Sequence, residues 1–415
     1  MDVPFWVWAA TIAFIIGLLV YDLLFHVRKA HVPTLRESSI WSALYVGIAL
    51  LFGVGVLVFG GTDMGSEYFA GYVTEKALSV DNLFVFLVIM ASFKVPRADQ
   101  QKVLLFGIVF SLVARTGFIF LGAALINTFA WVFYLFGLIL LLTAGNLLKP
   151  DHDEEDAGNN LIVRLARKVL PTSEHYDGDK LFTEVDGKRV LTPMLLVMVA
   201  IGGTDILFAL DSIPAIFGLT QNVFVVFTAT AFSLLGLRQL FFLIDGLLDR
   251  LIYLSYGLAA ILAFIGVKLI LHALHENNLP FVNGGQPVEV VEISTGLSLS
   301  VILGVLVVTV VASLVSPAGK ARTAIGNARR HATSYLDMEY TADPRERERV
   351  FRMLVAERDQ IVALGPKYKQ MVRDEPELMA LLARARESHD RALEGDLVEP
   401  VLTGGEPGPG PGQPS

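Results

Sequence analysis

Nine stretches of this chain are apolar for about the length of a membrane crossing, roughly 5–25, 40–60, 69–92, 103–125, 130–148, 194–218, 223–243, 251–273 and 296–316. That constrains the fold more than any other feature. A hydrocarbon core about 30 Å thick takes about 20 residues of helix. Inside it each backbone N–H and C=O must find a partner within the protein, which favours helices over open sheet. The expected fold is therefore an all-α polytopic membrane protein with nine transmembrane helices. Composition agrees: of 415 residues, 53% are hydrophobic and 18% charged, too few charges to coat a soluble body of this length. The first run begins at Phe5 with no basic n-region and no clear small-residue cleavage site, so it reads as a retained helix.

The connections alternate in charge. Arg28, Lys29 and Arg36 follow the first run, and Lys94, Arg97 and Lys102 follow the third. Arg164, Arg167, Lys168, Lys188 and Arg189 lie in the 149–193 loop, Arg250 follows the seventh run, and Lys320, Arg322, Arg329 and Arg330 follow the ninth. The opposite connections carry Asp63 and Glu67, and 275–295 has no Lys or Arg. The positive-inside rule then places the N-terminus outside and the C-terminus inside, in a plasma membrane expected to be bacterial.

Two apolar runs carry the same acidic pattern. Thr74-Glu75 precedes Asp81-Asn82, and Thr204-Asp205 precedes Asp211-Ser212, each pair of acids six residues apart. A charged side chain at mid-bilayer is costly and marks function by default. Phe110-Ser111-Leu112-Val113-Ala114-Arg115 resembles Phe232-Ser233-Leu234-Leu235-Gly236-Leu237-Arg238, with one residue more in the second. Gly137-Leu138 and Gly257-Leu258 then take similar places. Runs three to five thus read as a copy of runs six to eight, over about 69–148 and 194–273. An odd number of crossings per copy inverts the second, a plan transporters use to build a midplane site.

The candidate ligands are Glu75, Asp81, Asn82, Asp205, Asp211 and Ser212, all oxygen donors. Such a set suits Mn²⁺, Ca²⁺ or Mg²⁺ better than zinc or copper. Lys76, Arg115 and Arg238 lie in apolar runs and are available partners for such acids; Arg238 is near the cytoplasmic end of its run, where it can snorkel, and Arg115, mid-run, is expected to pair with a site acid. On a helix of about 3.6 residues per turn, positions six apart diverge by about 120°. Glu75, Ser79 and Asn82 share a stripe, as do Asp205, Ala209 and Ser212. Bringing all four acids together needs a wide cavity or an unwound helix. Gly202-Gly203 and Pro214, which frees the carbonyl of Leu210, put the expected break in run six. A buried carboxylate prefers a proton or a cation to remaining bare, so cation–proton exchange is the expected coupling.

The remainder bounds the function. There is no Cys, which excludes disulfides and thiolate chemistry. Net charge −8 argues against nucleic-acid binding. No Ser–His–Asp set, HExxH or P-loop is present, so no enzyme and no resident cofactor is expected. Asp151–Asp156 reads as a solvated acidic run, Asp22 as an interface residue, and His272 and His275 as outer-face residues. A helical tail over 317–403 offers a surface for a cytoplasmic partner, with Pro344 and Glu375-Pro376 as helix starts. The Gly/Pro-rich 404–415 is expected to be disordered. The other partners considered are the bilayer, a divalent metal ion and a second copy of the chain.

Over about 1–316, the sequence resembles the TerC family of integral membrane proteins, which includes the Alx-type proteins. The motifs that carry this are Glu75-Lys76-Ala77-Leu78-Ser79-Val80-Asp81-Asn82-Leu83-Phe84-Val85-Phe86 and Thr204-Asp205-Ile206-Leu207-Phe208-Ala209-Leu210-Asp211-Ser212-Ile213-Pro214-Ala215. Gly236-Leu237-Arg238, Tyr256-Gly257-Leu258 and Gly266-Val267-Lys268 extend the resemblance. It implies export of divalent metal ions, manganese first among them, or else a place in a tellurite-resistance membrane scaffold. Two departures stand out: Gly202 sits where many members carry an acid, and the tail is longer than is usual for the family.

Overall fold

The computed structural model describes residues 3–24, 35–93, 95, 97–129, 131–148, 181–185, 188–244, 251–277, 279–280, 282–337, 344–363 and 375–402. The acidic run at 151–156 and the 404–415 terminus lie outside the described residues, as do Arg28, Lys29, Lys94 and Arg250.

The chain is helical almost throughout. In order come α1 (Phe5–Asp22), α2 (Leu35–Ser92), α3 (Arg97–Thr128), α4 (Val132–Leu147), a β1–β2 hairpin (Phe182–Val185, Lys188–Leu191), α5 (Pro193–Phe217), α6 (Val223–Leu234), α7 (Leu237–Ile244), α8 (Leu254–His275), α9 (Thr295–Val315), α10 (Pro317–Asp337), α11 (Pro344–Val362) and α12 (Glu375–Leu402). Among the described residues, seven helical stretches are long and apolar enough to cross a membrane, and α4 is a shorter apolar helix.

Three elements differ from the expected segments. The second and third runs join in α2, whose 58 residues would extend about 87 Å if straight. Gly61 interrupts it, with φ 88° and ψ 174°, a conformation that only glycine adopts at little cost. The seventh run divides into α6 and α7 at Leu235-Gly236, where Leu235 is extended and Gly236 has φ +79°. Any Cβ on Gly236 would stand 2.7 Å from Cβ of Tyr45. The break expected in the sixth run is absent: α5 is one helix containing Pro214. That proline lies one turn from the helix end, and its carbonyl still accepts from Gly218 N at 2.9 Å.

Packing divides the chain into two compact units, Met1–Leu248 with Tyr253–Ala312, and Asp249–Ile252 with Ser313–Ser415. In the first, α2 packs on α6, α3 on α5 and α4 on α8, and α2 also meets α5. Gly137 and Gly266 let α4 and α8 touch backbone to backbone: a Cβ on Gly137 would lie 2.9 Å from the Gly266 carbonyl, and one on Gly266 3.0 Å from that of Gly137. One apolar cluster gathers Leu83, Phe86, Ile108, Val197, Ile201 and Phe241. Another gathers Tyr45, Tyr68, Tyr72, Val225 and Phe232.

The second unit holds α10, α11 and α12. Ala324, Ala328, Tyr335, Leu354, Leu378 and Leu382 form its core. The His389 ring stacks on Phe351 at 3.6 Å between centroids, and its Nδ1 lies 2.9 Å from the Tyr335 hydroxyl. The helix that begins at Pro344 is thus one wall of a three-helix body, with Val350, Leu354 and Ile361 on its buried side.

Candidate cation site

The site is built where α2, α3 and α5 meet. Its centre is Arg115, contributed by α3 and fully buried. The guanidinium donates to Glu75 Oε1 through Nη1 in a close ion pair. It reaches Asp205 twice, Nε to Oδ2 at 3.4 Å and Nη2 to Oδ1 at 3.2 Å. Nη1 also donates to Ser212 Oγ at 3.0 Å. With its amide oxygen facing the guanidinium, Asn82 accepts from Nη2 at 3.3 Å, and its nitrogen donates to the Leu78 carbonyl at 3.1 Å. Four of the six candidate ligands therefore converge, and what they converge on is an arginine.

Helix periodicity explains which four. Glu75, Ser79 and Asn82 stand one turn apart on α2, and all three are buried. Asp205, Ala209 and Ser212 do the same on α5. Asp81 and Asp211 lie off those stripes and are only partly buried. They stay close to the centre: Asp211 is within electrostatic reach of both Asp81 and Arg115. Among the described residues, no group of three or more His, Asp or Glu side chains stands in the geometry of a bound metal. The acids are neighbours whose middle is filled by a guanidinium.

Several oxygens around that guanidinium are buried and lack a hydrogen-bond partner: Glu75 Oε2, Ser79 Oγ and Ser111 Oγ. Ser79 is one turn from Glu75 on α2, and Ser111 one turn from Arg115 on α3. A buried oxygen without a partner is rare in native proteins and calls for an explanation such as an ion or a water. The donor set is entirely hard oxygen, as a site for a hard divalent cation requires.

The other two buried cations have separate tasks. Lys76 donates to the Ser233 carbonyl at 2.9 Å and reaches the Leu235 carbonyl at 3.5 Å. Those carbonyls belong to the break between α6 and α7, so Lys76 acts as a side-chain cap on a helix end; it is not an acid's partner there. Arg238, in α7, pairs with Asp22 of α1 at 2.7 Å and donates to Gln101 Oε1 at 2.7 Å. Gln239 adds a 2.9 Å bond to the same Asp22 oxygen. Asp22, read from the sequence as an interface residue, is 6% exposed and anchors a second charged cluster. An acid ending one apolar run and an arginine inside another was the available signal.

Gly202 faces an aromatic ring of α3. A Cβ there would lie 3.0 Å from the Phe110 ring, so the aromatic fills that side chain's space. Near the α5–α6 turn, a cavity of about 300 Å³ is lined by Glu67, Thr220, Gln221, Lys268 and His272 among others. Thr220 donates to Glu67 at 2.6 Å, His272 lies 2.9 Å from Gln221, and Lys268 donates to Ser298 at 3.2 Å. His275 stands 3.2 Å from Glu292.

Apolar crossing-length helices around ion-paired acids define an integral membrane protein with a charged site inside its helical bundle. The chain belongs to the integral membrane protein TerC family, whose model matches residues 60–321. It is 60% identical over 388 residues to the uncharacterized membrane protein Rv2723 of Mycobacterium tuberculosis (strain ATCC 25618 / H37Rv), covering 92% of this chain and 98% of that one. It is 35% identical over 311 residues to Alx of Escherichia coli (strain K12), named as a proposed membrane-bound redox modulator, covering 73% and 92%. It is 43% identical over 238 residues to the chloroplast thylakoid membrane protein TERC of Arabidopsis thaliana, covering 57% and 62%. No solved structure matches it.

Proposed function

We propose that this protein is a secondary transporter exporting divalent metal cations, with Mn²⁺ first among them, in exchange for protons. The observation that carries this reading is the convergence of Glu75 and Asp205, from two different helices, beside buried oxygens that lack partners. Buried ion pairs seldom stabilise a fold better than apolar replacements would, so keeping them inside a bundle favours a role in function. Asp81 and Asp211 are the less buried acids and the natural proton carriers.

In this reading the bundle crosses the membrane nine times. The two arms of α2 cross separately about Gly61, α4 is a full crossing, and α6–α7 is one interrupted crossing. The C-terminal arm of α2 with α3 and α4 forms one unit, and α5, α6–α7 and α8 form its inverted copy. The packing supports this: first-to-second contact (α2–α6) is answered by second-to-first (α3–α5), and third meets third (α4–α8). Reciprocal contacts of that kind are what a two-fold axis generates. The N-terminus is outside and the C-terminus inside a bacterial plasma membrane, from the charge of the connections.

Three other readings are weaker. Oxyanion transport needs an available cationic pocket, yet Arg115 and Arg238 are held by acids and Lys76 by carbonyls. Redox modulation, which is proposed for Alx, has no thiol to run through here because this sequence contains no Cys. A scaffold role is favoured by one observation, the α10–α12 body with its own core.

Cellular manganese decides between transporter and scaffold. Cells with the protein should hold less manganese than cells without it, and Asp81→Asn or Asp211→Asn should abolish the difference. Manganese content that never changes removes the transporter reading. A phenotype lost on deleting the tail after Val315, and kept by both acid variants, establishes the scaffold.

A further inference from the structure

We infer that Arg115 is a tethered cation that occupies the acidic site and competes with the transported ion for it; this rests on the export reading above. The hydrogen-bond partners of its guanidinium are Glu75, Asp205, Ser212 and Asn82, four of the six oxygens a divalent ion would take. Among the described residues no second cation shares them, since Lys76 and Arg238 are engaged elsewhere. Two buried carboxylates from separate helices would repel one another if left bare, and the guanidinium removes that cost when no metal ion is bound.

Arginine suits this task for two reasons. Its planar fork engages two carboxylates at once, and it keeps its charge at any physiological pH. The site therefore cannot be vacated by deprotonating its occupant. It has to be cleared by an ion that satisfies the same oxygens better. A divalent ion brings twice the charge and takes about six or more oxygens. The structure holds spare ones: Glu75 Oε2, Ser79 Oγ and Ser111 Oγ are buried without partners, so one guanidinium does not use up the acceptors. Loading then exchanges one positive group for another at Glu75 and Asp205, and unloading lets Arg115 return.

The prediction has a sign that a merely structural arginine would not give. Full-length protein in nanodiscs is titrated with Mn²⁺ alone, and free Mn²⁺ is followed by its electron paramagnetic resonance signal. Arg115→Gln should bind Mn²⁺ at least about tenfold more tightly than wild type. Arg115→Lys keeps the charge but cannot fork two carboxylates, and should bind more tightly by a smaller factor; it decides the matter should Arg115→Gln fail to fold. Binding seen only in the variants also supports competition. Variants that bind equally or more weakly, while wild type binds and exports manganese, overturn the competition and leave the export reading standing. No Mn²⁺ binding by any of the three proteins sinks both.

Discussion

Arg115 holds Asp205 through one edge of its guanidinium, Nε 3.4 Å from Oδ2 and Nη2 3.2 Å from Oδ1, tying α3 to α5. The pair is almost fully buried, at 0% and 4% side-chain exposure. Without Asp205, Arg115 stays paired with Glu75, but its Nε and Nη2 lose a carboxylate acceptor in a buried place, at a cost of about 1–3 kcal/mol. Asp205→Leu should therefore lower the melting temperature in detergent clearly. Replacing Arg115, Asp205 and Glu75 together with Met, Leu and Gln should restore most of the loss while leaving no transport.

A similar argument holds for the second charged cluster. Asp22→Leu strands Arg238, which is 3% exposed and whose Nε has no hydrogen-bond partner even in the intact protein. The expected loss is about 3–5 kcal/mol, with most of it recovered in the Asp22→Leu, Arg238→Met double variant. Thermal unfolding of the single and double variants measures the coupling directly.

The α6–α7 break makes a paired prediction. Gly236→Ala forces an L-residue into φ +79° and sets its Cβ against Tyr45, so a loss of about 1–3 kcal/mol is expected. Lys76→Met leaves the carbonyls of Ser233 and Leu235 without their donor, at about 1–3 kcal/mol for an unsatisfied buried group. Because both act on one turn, the double variant should lose less than the sum of the two. Full additivity would show that Lys76 is not the cap of that break.

Apolar run length carried the membrane character of the chain, and two motifs carried its family. Helix periodicity also singled out Glu75 with Asn82 and Asp205 with Ser212, the residues that meet at Arg115. Other features depend on three-dimensional neighbours. A guanidinium at the centre of the acids follows from how α3 lies between α2 and α5, which no local spacing encodes. The Pro214 and Gly202-Gly203 signals suggested a broken α5, but a proline in the last turn costs only one bond, and Gly202 makes room for Phe110. Among the described residues the interruptions fall at Gly61, just past the end of the second run, and at Gly236, inside the Phe232–Arg238 segment that carries one residue more than its counterpart. The hairpin pairs Phe182 with Leu191 and Val185 with Lys188, and the sequence between its strands is Asp186-Gly187, a dipeptide typical of two-residue hairpin loops.

Gly202 offers a test of the departure from the family pattern. Gly202→Glu would drive a side chain into the Phe110 ring, 3.0 Å from the would-be Cβ, and should destabilise the protein. Opening the space with Phe110→Ala should make the acid tolerable. If the added carboxylate then reaches the oxygens around Arg115, Mn²⁺ binding should tighten, which a titration of the double variant reports.

On the proposed export function, acids of two helices form one cation path through the membrane. Manganese flux into proteoliposomes holding the purified full-length protein tests it most directly, with internal pH recorded alongside. Wild type should move Mn²⁺ with opposing proton movement, and Asp211→Asn should cut the flux at least about tenfold. Flux at the protein-free background in wild type, or equal flux in wild type and Asp211→Asn, would contradict it.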